Sequence, residues 1–62
     1  MENNLKTILD NRGIKYVWLA DQAGVNRNTI YNLIQGSEPR LRLAYRIAKI
    51  LDLTVYDIWP LK

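Results

Sequence analysis

The stretch LADQAGVNRNTIYNLIQG, residues 19–36, decides the fold of this chain. Its apolar residues recur at helical spacing on either side of Gly24, which can adopt the left-handed backbone conformation of a tight turn without a steric penalty. Ala20 is small enough to let the second of these helices cross closely over the first. Two short helices joined by a glycine-containing turn form a helix-turn-helix. Six residues of suitable type at fixed spacing support that geometry here: Leu19, Ala20, Gly24, Val25, Ile30 and Leu33.

The rest of the chain also follows helical rather than alternating spacing, so the sequence predicts an all-α fold. We expect helices over residues 4–12, 16–23 and 27–35, a fourth with Pro39 in its first turn that runs to about Leu51, and a short fifth through Trp59. Asn26 is predicted to cap the third helix, and Thr54 to form a capping box with Asp57. The helices would form a compact five-helix bundle, a single domain over residues 1–62.

Two features indicate how this bundle is filled. The fourth helix has a broad apolar side, and Trp59 is predicted to close the bundle. Trp18, on the second helix, is expected to be a partly exposed packing residue. The apolar side of the fourth helix consists of Leu41, Ala44, Tyr45, Ile47, Ala48 and Leu51.

Composition excludes several classes of protein. The chain contains neither cysteine nor histidine, which rules out disulfides, thiolate or imidazole metal sites and histidine-based catalysis. No apolar run approaches the roughly 20 residues that span a bilayer, and the first residues lack the features of a signal peptide. There is no glycine-rich phosphate loop, and the carboxylates are scattered. We therefore expect a soluble cytoplasmic protein that is not an enzyme and requires no metal, cofactor or small-molecule ligand.

The basic charge is concentrated in the middle of the chain. The net charge is +3, and residues 27–49 carry five basic residues against one acidic residue. Four of those five are arginine, whose planar guanidinium suits phosphate and guanine edges better than lysine does. A solvated helix face is the alternative explanation for any charge cluster. The position of this basic segment beside the predicted helix-turn-helix favours the binding of nucleic acid.

Several short segments of the chain form a pattern of their own: Arg12-Gly13-Ile14, Leu19-Ala20, Gly24-Val25-Asn26-Arg27-Asn28-Thr29-Ile30, Gly36, Ile47-Ala48-Lys49 and Asp57-Ile58-Trp59. Through these segments the chain resembles the phage-repressor and Cro-like helix-turn-helix domains, also called the XRE family. The resemblance extends from about Leu5 to Trp59. It implies a lambda-repressor-like five-helix fold, a prokaryotic or phage origin, and a transcriptional regulator that binds an inverted-repeat operator in double-stranded DNA as a homodimer.

The chain departs from the family pattern at four positions. Tyr16 occupies the start of the second helix, where the family often has a glutamine that touches a phosphate. Lys15 is a poor N-cap in place of the usual Ser or Thr. Ile34 replaces a frequent Glu, and Asp52 replaces the usual Gly after the fourth helix, although Asp tolerates the left-handed region less well. The first departure puts the usual phosphate anchor in doubt.

If Ile30 and Leu33 point inward, the third helix exposes four residues that match the groove-facing positions of the family. Asn28 and Asn32 can each offer a donor and an acceptor to an adenine edge, and Arg27 can bind guanine or a phosphate. Tyr31 could pack against a thymine methyl group or sugar, or only cover the flank of the helix. The predicted base contacts are therefore Arg27, Asn28, Tyr31 and Asn32.

The phosphate contacts are expected to come from several elements. The Tyr16 ring could instead belong to the core, and Asn26 could be only a cap, whereas Arg46 and Lys49 are expected to be solvated. Phosphate contacts provide most of the affinity, and base contacts provide specificity. The predicted phosphate contacts are Tyr16, Asn26, Thr29, Arg40 and Arg42.

The leading functional prediction is a small transcriptional regulator that represses by occluding a promoter, although the residues do not separate repression from activation. The segment from Leu53 to Leu61 is predicted to contribute to a dimer interface, because one recognition helix reads only a few base pairs. The alternative is a protein-interaction or antitoxin-like accessory module that keeps the fold and binds protein through its apolar C-terminal segment. RNA binding is disfavoured, since no aromatic sheet platform is predicted.

Overall fold

The computed structural model describes residues 2–60, which form five helices and no strand. This confirms the predicted all-α fold. The core lies between α2 and its two neighbours, because α2 packs against both α3 and α4, while α1 packs against α3 and α5 against α4. The helices are α1 (Leu5–Arg12), α2 (Tyr16–Ala23), α3 (Arg27–Ile34), α4 (Leu41–Ile50) and α5 (Val55–Ile58).

The four longer helices end in the same way, with a residue of positive φ that reverses the chain. After α2, the Gly24 amide donates to the Asp21 carbonyl at 3.2 Å and the Val25 amide donates to the Ala20 carbonyl at 3.0 Å. These two bonds satisfy carbonyls that the helix leaves free and direct Val25 back toward the core. The positive-φ residues are Gly13, Gly24, Gly36 and Asp52.

The two predicted N-caps are also confirmed. The Asn26 side chain accepts a hydrogen bond from the Asn28 amide at 2.8 Å and so caps α3. At α5, the Thr54 hydroxyl accepts from the Asp57 amide at 3.2 Å, and the Asp57 carboxylate accepts from the Thr54 amide at 2.9 Å. The Thr54 backbone and side-chain hydrogen bonds hold the pKa of the Asp57 carboxyl below its ordinary value of 3.8.

The helix-turn-helix is anchored by the residues that the sequence indicated. Leu19, Ala20, Ile30 and Leu33 are buried, and Val25 packs against them. Trp59 is 2% exposed and closes the bundle as predicted. Trp18 is 47% exposed, in agreement with its prediction as a partly exposed residue.

One prediction about α4 is wrong. Pro39 is not in its first turn, because residues 37–40 cross from the end of α3 without regular structure and Arg40, in an extended conformation, is the N-cap of a helix that begins at Leu41. On the apolar side of α4, Leu41 and Tyr45 are 69% and 62% exposed. The apolar side of α4 is wider than the surface its neighbours cover, so these two residues, one helical turn apart, lie beyond the contact.

Side chains from other elements satisfy several remaining helix-end carbonyls. The Arg46 guanidinium donates to the Ala23 carbonyl at 2.8 Å, at the end of α2. Arg12 donates to the Leu51 carbonyl at 2.6 Å, and the Asn3 side-chain amide donates to the Leu33 carbonyl at 2.7 Å. Arg46 and Lys49 are both exposed, as expected, and the Arg46 guanidinium is in addition engaged by the turn of the helix-turn-helix.

Candidate nucleic-acid interface

One face of α3 is polar and exposed because Ile30 and Leu33 occupy the opposite face and are buried. Within residues 2–60, the side-chain amides of Asn28 and Asn32 make no hydrogen bond, so both retain a donor and an acceptor for a partner. The residues exposed on this face are the four predicted base contacts, Arg27, Asn28, Tyr31 and Asn32.

Two shallow grooves flank α3 and collect most of the predicted contact residues. A groove of about 410 Å³ brings Thr29 and Asn32 together with Arg40 from the loop before α4. A second groove, of about 320 Å³, brings Asn26 and Arg27 against Val17 of α2. On each side of α3, a side chain from another element therefore lies nearby. A surface that contacts both the base edges and the flanking DNA backbone needs such an arrangement.

Among the predicted phosphate contacts, Tyr16 and Arg42 are the two that lie outside these grooves. Arg42 is exposed on the first turn of α4 and lines neither groove. Asn26 uses its side-chain oxygen as the α3 cap, so only its amide nitrogen stays available to a phosphate. The Asn26 side chain can therefore cap α3 and contact a phosphate at the same time.

Tyr16 connects the start of α2 to the exposed face of α3. Its ring is half-buried and packs against the core, and it meets the Tyr31 ring edge to face, with centroids 5.1 Å apart and planes at 82°. The other side of Tyr31 is open, since this residue is 48% exposed. The structure thus places two predicted contact residues from different helices against each other, which the sequence pattern did not indicate.

Lys15 is a further candidate that the sequence analysis treated only as a poor cap. Its side chain makes no capping bond, and the residue is exposed directly before Tyr16 at the amino end of α2. Its ammonium group adds a positive charge where the free amides of the helix terminus already favour anions. The signal in the sequence was a basic residue immediately before a predicted helix.

Within residues 2–60 the basic residues of this interface form no close ion pair, although Asp21 and Glu38 line the same grooves as Arg27 and Arg40. The ion pair among residues 2–60 joins Lys6 and Asp10 on α1 at 3.2 Å, and its hydrogen bond raises the pKa of the Lys6 amine. Within residues 2–60, none of the five basic residues of the segment 27–49 forms an ion pair with a carboxylate. Their positive field is therefore available to an external polyanion.

Two short helices at a glycine turn, the second of which presents an exposed polar face that begins with an arginine, define a helix-turn-helix DNA-binding module. A family model described as the Cro/C1-type helix-turn-helix DNA-binding domain matches residues 4–61. The chain belongs to that family. This confirms the resemblance from the sequence and establishes DNA binding as its family property. None of the curated proteins matches the chain.

Two further properties concern membranes and metals. No helix within residues 2–60 has the length and apolar character needed to cross a bilayer. In the same residues, no three histidine, cysteine or acidic side chains lie together as a metal site would require. The family is defined by DNA binding and not by a catalytic activity.

Proposed function

We propose that this protein is a sequence-specific transcriptional regulator that reads the major groove of double-stranded DNA with α3 and represses by occluding a promoter. The observation that carries the proposal is the exposed face of α3, where two unpaired asparagine amides and an arginine lie together above a buried apolar face. Asparagine can pair with both hydrogen-bonding groups of an adenine edge, and arginine with those of guanine. A helix of about 10–12 Å diameter fits the major groove.

The proposed roles divide by position around α3. Asn28 and Asn32 read bases, together with Arg27 at the first turn and Tyr31. Phosphate contacts from both sides fix the register of the helix in the groove, and they contribute most of the salt-dependent affinity. The residues proposed for these phosphate contacts are Tyr16, Asn26, Thr29, Arg40 and Arg42, with Lys15 added from the structure.

We also propose that the protein acts as a homodimer on an inverted repeat, through an apolar surface formed by α4 and α5. This α4–α5 surface is an open groove of about 720 Å³ in which Tyr45 and Tyr56 are 62% and 63% exposed. Lys49 and Asp52 lie at the same groove. In a two-fold interface, each can face the opposite charge of the partner, so the surface is electrostatically complementary to itself. Leu61, part of the predicted dimer segment, lies outside the described residues.

The test is selection of bound sequences from a random duplex pool at fixed salt, with wild type, Asn28→Ala and Arg42→Ala in parallel. Wild type should enrich an inverted repeat with half-sites about one helical turn, or 34 Å, apart. Asn28→Ala should relax the preference at one position in each half-site, because one base edge loses its partner. Arg42→Ala should weaken binding about equally on all sequences, because a phosphate contact carries no sequence information.

A second candidate function is a protein-interaction module, favoured by the exposed aromatic and aliphatic side chains of the α4–α5 surface. The selection experiment separates the two functions. No enrichment, together with weak binding that disappears as salt rises, would indicate generic attraction to phosphate. Binding of a protein partner would then be the better proposal for what this protein does.

A further inference from the structure

The contact between Tyr16 and Tyr31 gives α3 a preformed aromatic element. Edge-to-face packing at a centroid distance of 5.1 Å is the arrangement that aromatic quadrupoles favour. Tyr16 is held by the core, so it is a fixed support for the more exposed ring. Tyr31 is therefore restrained on one side while about half of its surface stays open to a partner.

The position of Tyr31 shows what that open side faces. Residues three and four apart share a helix face, so Tyr31 lies beside Asn28 and Arg27. Its ring is thus a large apolar group in the middle of a face that is otherwise polar and positively charged. A ring in that place, if α3 enters the major groove, meets the edges of bases and not the solvent.

Thymine is the base whose chemistry matches such a ring. It is distinguished in the major groove by its 5-methyl group, an apolar projection that no other base of DNA presents there. A ring held in advance loses little rotamer freedom on contact, so more of the interaction appears as affinity. We propose that Tyr31 reads the methyl group of one thymine in each half-site and that Tyr16 is the positioning residue that holds its ring for this contact. This inference rests on the proposed function.

The experiment replaces each thymine of the selected operator in turn by deoxyuridine, which removes only the methyl group. Binding is measured by fluorescence anisotropy at fixed salt. For wild type, one substitution per half-site should weaken binding about fourfold, as expected for one buried methyl group. In Tyr31→Ala, the ratio of thymine to uracil affinity at that position should fall to about one. Tyr31 is exposed, so this variant should fold normally, as checked by circular dichroism.

Variants of Tyr16 test the positioning role separately from stability. Tyr16→Phe keeps the ring and should keep the thymine preference, even if loss of the hydroxyl weakens binding on every sequence. Tyr16→Gln, the residue type often found here in the family, removes the ring and should lose the preference although Tyr31 is present. Tyr16→Leu is a second ring-deleting variant in case Gln disturbs packing.

Three results would overturn the inference while the proposed function stands. These are an operator on which no deoxyuridine substitution matters, a thymine preference that survives in Tyr31→Ala, and a preference that survives in both ring-deleting variants of Tyr16. A protein that enriches no operator at all refutes the proposed function itself, and the inference falls with it.

Discussion

Arg42 and Arg46 lie one helical turn apart on α4, and their surroundings give them different tasks. The Arg46 guanidinium donates to the Ala23 carbonyl and lies over Gly24, where a Cβ atom in place of the glycine hydrogen would be 3.7 Å from the Arg46 Nη1 atom. It therefore ties α4 to the turn between α2 and α3. Arg42 is exposed and makes no hydrogen bond with the part of the chain that is described.

We expect Arg46→Met to lower the free energy of unfolding by about 1–2 kcal/mol, because a partly buried carbonyl loses a charged donor. Arg42→Ala should change stability by less than about 0.5 kcal/mol. Chemical denaturation measures both. In DNA binding the order should reverse: Arg42→Ala reduces the slope of log affinity against log salt by about one. Equal stabilities for the two variants would show that the Arg46 bond contributes nothing.

The Asp57 carboxylate makes the start of α5 sensitive to pH. Its pKa is lowered by hydrogen bonds with Thr54, so its contribution to stability is present above the unfolded pKa and is lost as pH falls through the folded value. Asp57→Asn keeps an acceptor oxygen but cannot ionise. We expect the variant to melt below wild type at about pH 6, and the gap between them to narrow as pH falls below about 4. A gap that stays constant with pH would contradict this.

Among the elements, α4 has the least favourable ending. Its chain reversal has Asp52 at φ 58°, where the other three reversals have glycine. The hydrogen bonds are nevertheless complete, because the Leu53 amide donates to the Ala48 carbonyl at 2.8 Å and the Asp52 amide donates to the Lys49 carbonyl at 3.2 Å. The strain is thus conformational, since an L residue with a Cβ atom is unfavourable in this region.

Asp52→Gly should therefore raise the free energy of unfolding by about 0.5–1 kcal/mol. Thermal and chemical denaturation would measure the gain. Asp52→Ala is the matched control, because it removes the same carboxylate and keeps the Cβ atom, and it should be no more stable than wild type. A gain of equal size in Asp52→Ala would assign the effect to charge and not to the backbone.

The presence of the helices and of the helix-turn-helix could be predicted from the sequence, because both depend on local features: apolar spacing, a glycine at the turn and side-chain caps. The start of α4 and the exposure of Leu41 and Tyr45 could not, since they depend on how far neighbouring helices cover α4. Within the candidate site, the exposed face of α3 could be predicted, because Ile30 and Leu33 were expected to point inward. The Tyr16–Tyr31 contact did not follow, because it depends on the relative orientation of two helices.

At the scale of the whole molecule, the exposed face of α3 that we propose contacts DNA and the α4–α5 surface differ in chemistry. The first is polar and basic, and the second is mostly apolar with one charge of each sign. An apolar surface of this kind is characteristic of an interface between proteins. This separation would let a dimer form without covering α3.

We expect Tyr45→Ser combined with Tyr56→Ser to weaken self-association at least about tenfold, since aromatic anchors dominate many interfaces. Sedimentation velocity over a range of concentrations would measure it, and operator binding should lose its dependence on half-site spacing. Trp18→Ser is the control, because it removes an exposed aromatic residue from α2 and should change neither property. A wild-type protein that stays monomeric at high concentration and on operator DNA would exclude the dimer.

The first and last described residues meet at one end of the molecule. The Asn4 amide donates to the Ile58 carbonyl at 2.7 Å, and Asn3 and Pro60 line one groove with the final turn of α3. Tyr31 and Asn32 lie in that turn, so a domain fused beside this groove would stand next to two of the proposed base contacts. Because the first and last described residues are close together, residues 2–60 are suited to circular permutation, with a short linker from Pro60 to Glu2 and the chain opened within residues 37–40.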